Sequence, residues 1–228
     1  MMKRLFDLVI SSILLLILSP VILLTSIIVI LDTGFPVFYR GKRVGKDGEI
    51  FNILKFRSMV VDSRQKGPGI TARSDCRVTR SGRFLRKWKL DEFPQFFNVL
   101  FGEMSLVGPR PEDPQYVKHY SEEEKSALTV KPGITGVSQI LFRNEEQLLA
   151  VDSPEEYYVN CIIHQKLRYD LAYINSNPNI FTDFMIILLT ILVILLPKRG
   201  YVVCRNVINR IVGLDGCDTS CGYRNQCS

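Results

Sequence analysis

A run of strongly apolar residues near the N-terminus, positions 5–31, constrains this 228-residue chain most. A short basic head precedes the run, and Asp32 follows it. A secretory signal peptide would have a shorter apolar core and a cleavage site of small residues, and residues 31–36 do not form such a site. The sequence therefore predicts that the run is retained and anchors the chain in a membrane.

The run is long enough to cross a bilayer, because a helix over residues 8–31 would extend about 36 Å against a hydrocarbon core of about 30 Å. Ser19 and Pro20 lie near its middle, where proline removes a backbone hydrogen bond. Basic residues flank both ends: Lys3, Arg4, Arg40, Lys42, Arg43 and Lys46. The positive-inside tendency would keep both ends in the cytoplasm. These features favour a re-entrant hairpin over residues 1–36, broken at Ser19-Pro20, with a proline-kinked spanning helix as the alternative.

The charge balance indicates an anionic partner. The chain has a formal net charge of +6, which favours nucleic acid, an anionic membrane surface or a phosphorylated substrate. No helix-turn-helix, RNP-like or zinc-finger spacing is present, so the sequence predicts no nucleic-acid partner. The apolar N-terminus favours lipid.

Residues 37–200 predict a compact α+β domain that is mostly helical. Two segments, residues 37–40 and 50–56, are typical of strands joined by a glycine-rich turn. The Gly-Pro-Gly sequence at residues 67–69 predicts a loop.

Helices are predicted after Ser81 and over residues 92–101, where Pro94 is tolerated because it lies in the first turn. A second apolar segment occupies residues 184–197. Its apolar core of about 13 residues would extend only about 20 Å as a helix, too short to cross a bilayer. We therefore expect interfacial amphipathic helices beside the anchor. Residues 201–228 form a Cys-rich tail to which the sequence assigns no role.

Residues 91–111 carry the most informative chemistry. Asp91 and Glu92 are adjacent carboxylates, and Arg110 lies between two prolines at the end of the segment. Further cations lie just upstream: Arg83, Arg86, Lys87 and Lys89. Carboxylates beside clustered cations suit an enzyme that handles phosphates, because the cations hold the anion and the carboxylates attack it or bind a divalent metal. The alternative is that the two acids only complement the dipole at a helix N-terminus.

The segment LDEFPQFFNVLFGEMSLVGPRP, residues 90–111, resembles the signature block of the bacterial sugar transferase family, the monotopic polyprenyl-phosphate phosphoglycosyl transferases. The resemblance covers about residues 1–200 and includes further motifs in the family's order: Ser19-Pro20, Lys55-Phe56-Arg57-Ser58-Met59, Asp75-x-Arg77-x-Thr79, Lys131-Pro132-Gly133-Ile134-Thr135-Gly136 and residues 167–173. Residues 136–144 vary the family's Gly-x-x-Gln-Val pattern, so no particular sugar is predicted.

The resemblance implies a reaction. A sugar 1-phosphate passes from a UDP-sugar to polyprenyl (undecaprenyl) phosphate, and UMP is released. By position, Asp91 matches the nucleophile, which would form a covalent aspartyl-phosphosugar intermediate. Glu92 matches the acidic residue that holds Mg²⁺, the implied cofactor. Because the chain begins at the anchor, it is expected to be the minimal catalytic form.

The resemblance also implies phosphate contacts. Lys55, Arg86 and Arg110 match positions that contact substrate phosphates, and the prolines around Arg110 would reduce the entropy lost when it grips an anion. Arg57 is a further candidate, since strand alternation would place it on the same face as Lys55. The predicted substrate-binding set is Lys55, Arg57, Arg86, Pro109, Arg110 and Pro111.

The resemblance places the enzyme at the cytoplasmic face of the bacterial inner membrane, at the first membrane step of surface-glycan synthesis. Its expected partners are the UDP-sugar, polyprenyl phosphate, inner-membrane lipids and downstream glycosyltransferases, and a homodimer stays open beside a monomer. Two alternatives also stay open: a Mg²⁺-dependent phosphohydrolase of lipid diphosphates, and a non-catalytic membrane scaffold for glycan assembly.

Overall fold

The structure, a computed structural model, describes residues 2–61 and 75–213. The predicted loop at residues 67–69 and the tail beyond residue 213 lie outside these ranges. The described part is a helix-rich α+β fold, as predicted.

Helix α1, Met2–Thr33, continues through Pro20 as one element. The Ser19 hydroxyl donates a 2.8 Å hydrogen bond to the Leu16 carbonyl, the acceptor that Pro20 has no N–H to satisfy. Among the described helices, α1 alone is long and apolar enough to cross a membrane. The structure shows no break at Ser19-Pro20. It therefore does not confirm the re-entrant hairpin, which stays a prediction.

Both ends of α1 are attached to the rest of the domain. Near its start, Arg4 donates from Nη2 to the Leu100 carbonyl at 3.0 Å. At its end, the Asp32 carboxylate accepts from the Ser81 amide at 2.9 Å. The buried positions of α1 lie towards these two ends, and residues 12–24 between them are exposed or half-buried.

The two predicted strands are confirmed as an antiparallel hairpin. Strand β1, Phe38–Val44, pairs with β2, Ile50–Phe56, with Phe38 opposite Phe56 and Val44 opposite Ile50. The turn between them uses Asp47 at φ +56° and Gly48 at φ +82°, which suits a tight reversal. Lys55 lies at the end of β2, next to the carboxylate segment.

Helix α2, Arg80–Lys87, begins slightly earlier than predicted, since the expected start was after Ser81. Its cap is Thr79, whose Oγ1 accepts from the Gly82 amide at 2.9 Å. The helix predicted over residues 92–101 is shorter: α3, Gln95–Phe101, begins after Pro94. The correction follows from proline, which fits the start of a helix but not its interior, and Asp91 and Glu92 lie in a separate 3₁₀ turn.

A second, parallel sheet positions Arg110. Strand β3, Ser105–Val107, pairs with β4, Gly133–Thr135. A Cβ on Gly133 would lie 2.1 Å from the Gly108 amide nitrogen, so the two backbones approach as closely as glycine permits. This contact fixes the start of the Gly108-Pro109-Arg110-Pro111 turn.

Short helices and one longer helix complete the domain: α4, Pro114–Val117; α5, Val137–Leu141; α6, Glu145–Leu148; α7, Pro154–Tyr157; and α8, Ile163–Asn175. A π-helical turn, Tyr158–Ile162, joins α7 to α8. The main core lies among these helices and includes Leu106, Tyr116, Ile140, Tyr158 and Leu167.

The second apolar segment forms α9, Ile180–Leu195, and α10, Pro197–Val212, follows it. Asn179 caps α9 by accepting from the Thr182 amide at 3.0 Å. The predicted boundary at residue 200 falls inside α10, where a Cβ on Gly200 would lie 2.9 Å from the Leu192 carbonyl oxygen. Cys204 of α10 is fully buried in the main core.

Candidate active site

Asp91 and Glu92 lie in the 3₁₀ turn Leu90–Glu92 between α2 and α3. Lys89, just before the turn, adopts φ +58°, a left-handed conformation that is uncommon outside glycine. Asp91 is buried, at 6% exposure, and its Oδ1 has no hydrogen-bond partner. A buried polar atom without a partner is costly in a folded protein and is a common mark of a functional site.

Glu92 joins two of the predicted cations. Its Oε1 lies 2.9 Å from the Lys55 Nζ on β2 and 3.8 Å from an Arg110 Nη2 after β3. Burial alone would raise the pKa of Glu92, but the charges of Lys55, Lys89 and Arg110 outweigh it and hold the pKa far below its usual range. Three separate elements of the chain therefore converge on an ionised Glu92.

The surroundings of Asp91 raise its pKa, whereas those of Glu92 lower the pKa of that residue. Burial raises the pKa of Asp91, and the negative charge of Glu92 raises it further. Lys55, Lys89 and Arg86 lower it in part. Two neighbouring carboxylates with pKa values driven apart are typical of sites in which each acid has a separate role.

Arg86 and Arg57 line the same cavity as the carboxylates, but each has a protein partner. Arg86 Nη2 lies 2.5 Å from Glu146 Oε1 on α6. Arg57 lies beyond the end of β2, and its Nη2 donates to the Thr33 carbonyl at 2.7 Å. The buried Nε and Nη1 of Arg57 have no partner. Arg57 therefore binds the end of α1 through Nη2, and its other two donors stay free to bind a ligand.

The cavity has a volume of about 1900 Å³. It is large enough for a nucleotide sugar beside part of a lipid, because ligand pockets are commonly 300–1,000 Å³. Residues of the predicted set that line it are Lys55, Arg57, Arg86, Asp91, Glu92, Arg110 and Pro111. Pro109 lies one residue before Arg110 and borders a small adjacent pocket.

A network of hydrogen-bonded and ion-paired side chains next to Arg110 was not predicted from the sequence. Lys166 of α8 is 3% exposed, and its Nζ lies 3.0 Å from Glu112 Oε1 and 3.1 Å from Glu145 Oε2. Tyr158 donates to Glu112 Oε1 at 2.6 Å. Burial opposes the charge of Lys166, but Glu112 and Glu145 outweigh it and raise its pKa. The same two carboxylates act on Arg110, so Lys166 balances charge that would otherwise draw Arg110 away from Glu92.

A signal for this network is present in the sequence. Lys166, Asp170 and Tyr173 are spaced i, i+4 and i+7, which places them on one face of a helix. That face also carries Leu167, and it is buried in the structure. Charged residues at buried helical positions are rare unless they are paired, so the pattern predicts partners without identifying them.

Lys166→Met should lower the free energy of unfolding by about 3–5 kcal/mol, because it removes a buried cation from two partly buried carboxylates. The measurement is urea unfolding of the detergent-solubilised protein. A matched control is Lys125→Met, since Lys125 pairs with Glu122 in an exposed i,i+3 arrangement and should change stability by only about 0.5 kcal/mol. Equal effects of the two substitutions would contradict the role of Lys166.

Asp170 on α8 binds Ser138 of α5, a residue that lines the cavity. It accepts from the Ser138 hydroxyl at 2.8 Å and from the Ser138 amide at 3.3 Å. Burial raises the pKa of Asp170 to about 7, although the Ser138 hydrogen bonds oppose the shift. The folded state therefore retains a proton that the unfolded chain loses near pH 4.

This shift predicts a pH dependence of stability. Between about pH 4 and pH 7 the folded protein binds more protons at Asp170 than the unfolded chain does, so the contribution of Asp170 to the free energy of unfolding should fall as pH rises and level off above pH 7. Asp170→Asn should remove this contribution, so that the variant, measured by unfolding at pH 5 and pH 8, loses less stability, or gains more, than the wild type between these two values. The control Asp152→Asn, at an exposed position, should keep the wild-type slope. A wild-type slope in Asp170→Asn would refute the assignment.

The donor set fits the Mg²⁺ ion that the resemblance implies. Among residues 2–61 and 75–213 there is no group of three His, Cys, Asp or Glu side chains that would hold a metal by themselves. Mg²⁺ is usually bound by one or two carboxylates together with water and substrate phosphates. Glu92 is ionised and faces the cavity beside the unpartnered Asp91 oxygen, so it would hold Mg²⁺ jointly with a bound diphosphate.

Comparison with known proteins matches residues 1–197 to the bacterial sugar transferase family. The chain is 38% identical over 203 residues to a UDP-glucose:undecaprenyl-phosphate glucose-1-phosphate transferase of Klebsiella pneumoniae, covering 87% of this chain and 41% of that protein. It is 42% identical over 196 residues to an undecaprenyl-phosphate glucose phosphotransferase of Komagataeibacter xylinus, covering 83% and 35%.

A relative of similar length is an uncharacterized sugar transferase, EpsL, of Bacillus subtilis. The two are 37% identical over 197 residues, which is 86% of this chain and 89% of the relative. The chain thus spans less than half of the Klebsiella and Komagataeibacter proteins and nearly all of the Bacillus protein.

Proposed function

The chain belongs to the bacterial sugar transferase family, and on that premise we propose that it transfers a sugar 1-phosphate from a UDP-sugar to undecaprenyl phosphate and releases UMP. The substrates are those in the names of its relatives. The observation that carries the proposal is the buried Asp91 oxygen without a partner, next to a Glu92 that is paired with Lys55 and Arg110. The product would pass to downstream glycosyltransferases.

In the first step, an Asp91 carboxylate oxygen attacks the sugar-bearing phosphorus of the UDP-sugar. The new P–O bond forms as the bond to UMP breaks, so UMP leaves with the bridging oxygen and Asp91 becomes an acyl phosphate of the sugar. Attack requires ionised Asp91. Burial and Glu92 raise the pKa of Asp91, and the charges of Lys55, Lys89 and Arg86 act in the opposite direction.

The cations make the approach of two anions feasible. Two unit charges 4 Å apart interact by about 4 kcal/mol at an effective dielectric of about 20. Lys55 and Arg110 would hold the phosphate oxygens and offset this repulsion. Mg²⁺ held by Glu92 would supply further neutralisation of the diphosphate. The rigid turn around Arg110 and the Lys166 network keep its guanidinium in place.

In the second step, a phosphate oxygen of the polyprenyl phosphate attacks the same phosphorus and Asp91 leaves as a carboxylate. No strong general base is required, because the incoming phosphate is ionised near neutral pH. Charge is conserved in each step, and the free enzyme is restored.

Two features support a re-entrant anchor at the cytoplasmic face of the inner membrane. Both ends of α1 bind the same domain, Arg4 at one end and Asp32 at the other. The exposed middle, residues 12–24, contains Pro20, where an insertion bend would fall. A reporter fused before Met2 should appear on the same side as a reporter on the domain. Opposite sides would show that α1 spans the membrane.

The function is tested by incubating membranes that contain the protein with a panel of UDP-sugars, polyprenyl phosphate and Mg²⁺. We expect UMP and a lipid-linked diphosphate sugar with one of the sugars. Release of sugar phosphate to water, without a lipid product, would instead indicate a phosphohydrolase. If no UDP-sugar yields UMP while the protein still supports glycan assembly, the scaffold alternative is favoured.

A further inference from the structure

The active-site cavity has a second, apolar region between α1 and α9. Its walls are two rows of half-buried or exposed aliphatic side chains, which we call the α1–α9 slot: Ile10, Leu14, Leu18, Ile187, Ile191 and Ile194. The first three are spaced i, i+4 and i+8 on α1, and the others i, i+4 and i+7 on α9. Each row therefore forms a stripe along one helix face.

The two stripes lie at matching distances from a common point. Lys3 of α1 forms an ion pair with the buried Asp183 of α9, which joins the two helices near their N-terminal ends. From that junction, at 1.5 Å per residue, the α1 stripe lies about 10–22 Å along its helix and the α9 stripe about 6–16 Å along its own. Both stripes therefore begin within about 10 Å of the junction along their helices, and both line the cavity.

The slot is continuous with the cationic site. Phe93 and Phe96 line the same cavity, and Phe93 directly follows Glu92 in the chain. The cavity that holds both the cations and the slot is therefore also lined by aromatic side chains. A cavity with cations at one end and aliphatic walls at the other is complementary to an amphiphile with an anionic head and an apolar chain.

The hydrogen-bonding groups on the slot wall are already engaged, which argues against a polar occupant. Thr190 of α9 lies among the aliphatic residues. Its hydroxyl is 2.8 Å from the Ile186 carbonyl and 2.6 Å from the Thr135 hydroxyl. A uracil base or a sugar in this region would lose water contacts without equivalent replacement.

We propose that the α1–α9 slot binds the first isoprene units of the acceptor, with the acceptor phosphate at Lys55 and Arg110. This inference rests on the proposed function. It assigns to α1 a role beyond anchoring, because one face of the helix forms part of the acceptor site.

The test fills the slot with a larger side chain. Leu14→Trp and Ile187→Trp should each raise the KM for undecaprenyl phosphate at least about tenfold, which corresponds to about 1.4 kcal/mol of binding. The KM for a two-isoprene acceptor such as geranyl phosphate should rise as well, because its two isoprene units are the ones that the slot would hold. The matched controls are Leu16→Trp and Leu188→Trp, at exposed positions (77% and 44%) outside the cavity lining.

Equal KM changes in the slot and control variants would overturn the proposal and indicate general contact with membrane lipid. A second measurement uses the wild-type protein and therefore does not depend on folding of the variants. An undecaprenyl phosphate carrying a photoreactive group near its phosphate should cross-link to peptides that contain Leu14 or Ile187. Cross-linking confined to other segments would refute the slot.

The outcomes separate this proposal from the proposed function. If wild-type protein releases UMP and makes the lipid product but the slot variants keep the wild-type KM for undecaprenyl phosphate, only the slot is wrong. If wild-type protein makes no lipid product, the proposed function is wrong, and the slot as an acceptor site is wrong with it.

Discussion

Asp91→Asn should reduce UMP release from a UDP-sugar by at least about a thousandfold, as loss of a nucleophile does in other covalent catalysts. The substitution keeps the size and shape of the side chain and removes the charge. The amide cannot form the acyl phosphate, and its NH₂ group replaces an oxygen in a buried site. The measurement is single-turnover UMP release with Mg²⁺ and without an acceptor lipid, which isolates the first step.

Asp47→Asn is the matched control, because Asp47 lies in the β1–β2 turn with its side chain 69% exposed. It should release UMP at the wild-type rate. Stability should not explain the loss in Asp91→Asn, since removing a buried carboxylate whose pKa is raised by burial relieves desolvation. An Asp91→Asn variant with near-wild-type single-turnover release would show that Asp91 is not the nucleophile.

Glu92→Gln should lower kcat/KM by about a hundredfold or more and raise the Mg²⁺ concentration needed for half-maximal activity. The carboxylate offsets the charges of Lys55 and Arg110 and would contribute the protein ligand to Mg²⁺. Burial lowers the pKa of Lys55, and Glu92 opposes that change. Without Glu92, Lys55 loses its ion-pair partner in a largely buried site, and its pKa should fall further.

The Mg²⁺ dependence distinguishes this role from a structural one. A purely structural defect would lower the amount of active protein at every Mg²⁺ concentration without moving the midpoint. Glu122→Gln is the control, since the Glu122 side chain is 90% exposed, and it should leave both rate and midpoint unchanged. An unaltered midpoint in Glu92→Gln would remove Glu92 from the metal site.

Local patterns in the sequence were sufficient to predict the strands and the proximity of one carboxylate to Arg110. Alternation and a glycine-rich turn predicted the β1–β2 hairpin, because strand pairing across a short turn depends on neighbouring residues. The carboxylate pair and the Pro-Arg-Pro turn predicted that Glu92 and Arg110 belong to one site, although they are 18 residues apart in the chain. The structure places them 3.8 Å apart.

Long-range contacts could not be predicted in the same way. The pairing of Lys166 with Glu112 and Glu145 depends on how α8 packs against the turn after Arg110, and nothing in the local sequence encodes that pairing. Likewise, α3 begins at Gln95 and not at Glu92. The left-handed Lys89 separates the 3₁₀ turn from α2, and Pro94 separates it from α3. That shift is the reason that Asp91 and Glu92 point into the cavity and do not simply cap a helix.

Peptide mass mapping of the protein trapped in mid-reaction tests the central claim most directly. Wild-type protein is mixed with its UDP-sugar and Mg²⁺ in the absence of polyprenyl phosphate, quenched in acid and digested. The account predicts a sugar phosphate attached to the peptide that contains Asp91, absent in Asp91→Asn and discharged when polyprenyl phosphate is added before the quench. UMP release with no adduct on that peptide, or with an adduct on another residue, would contradict it.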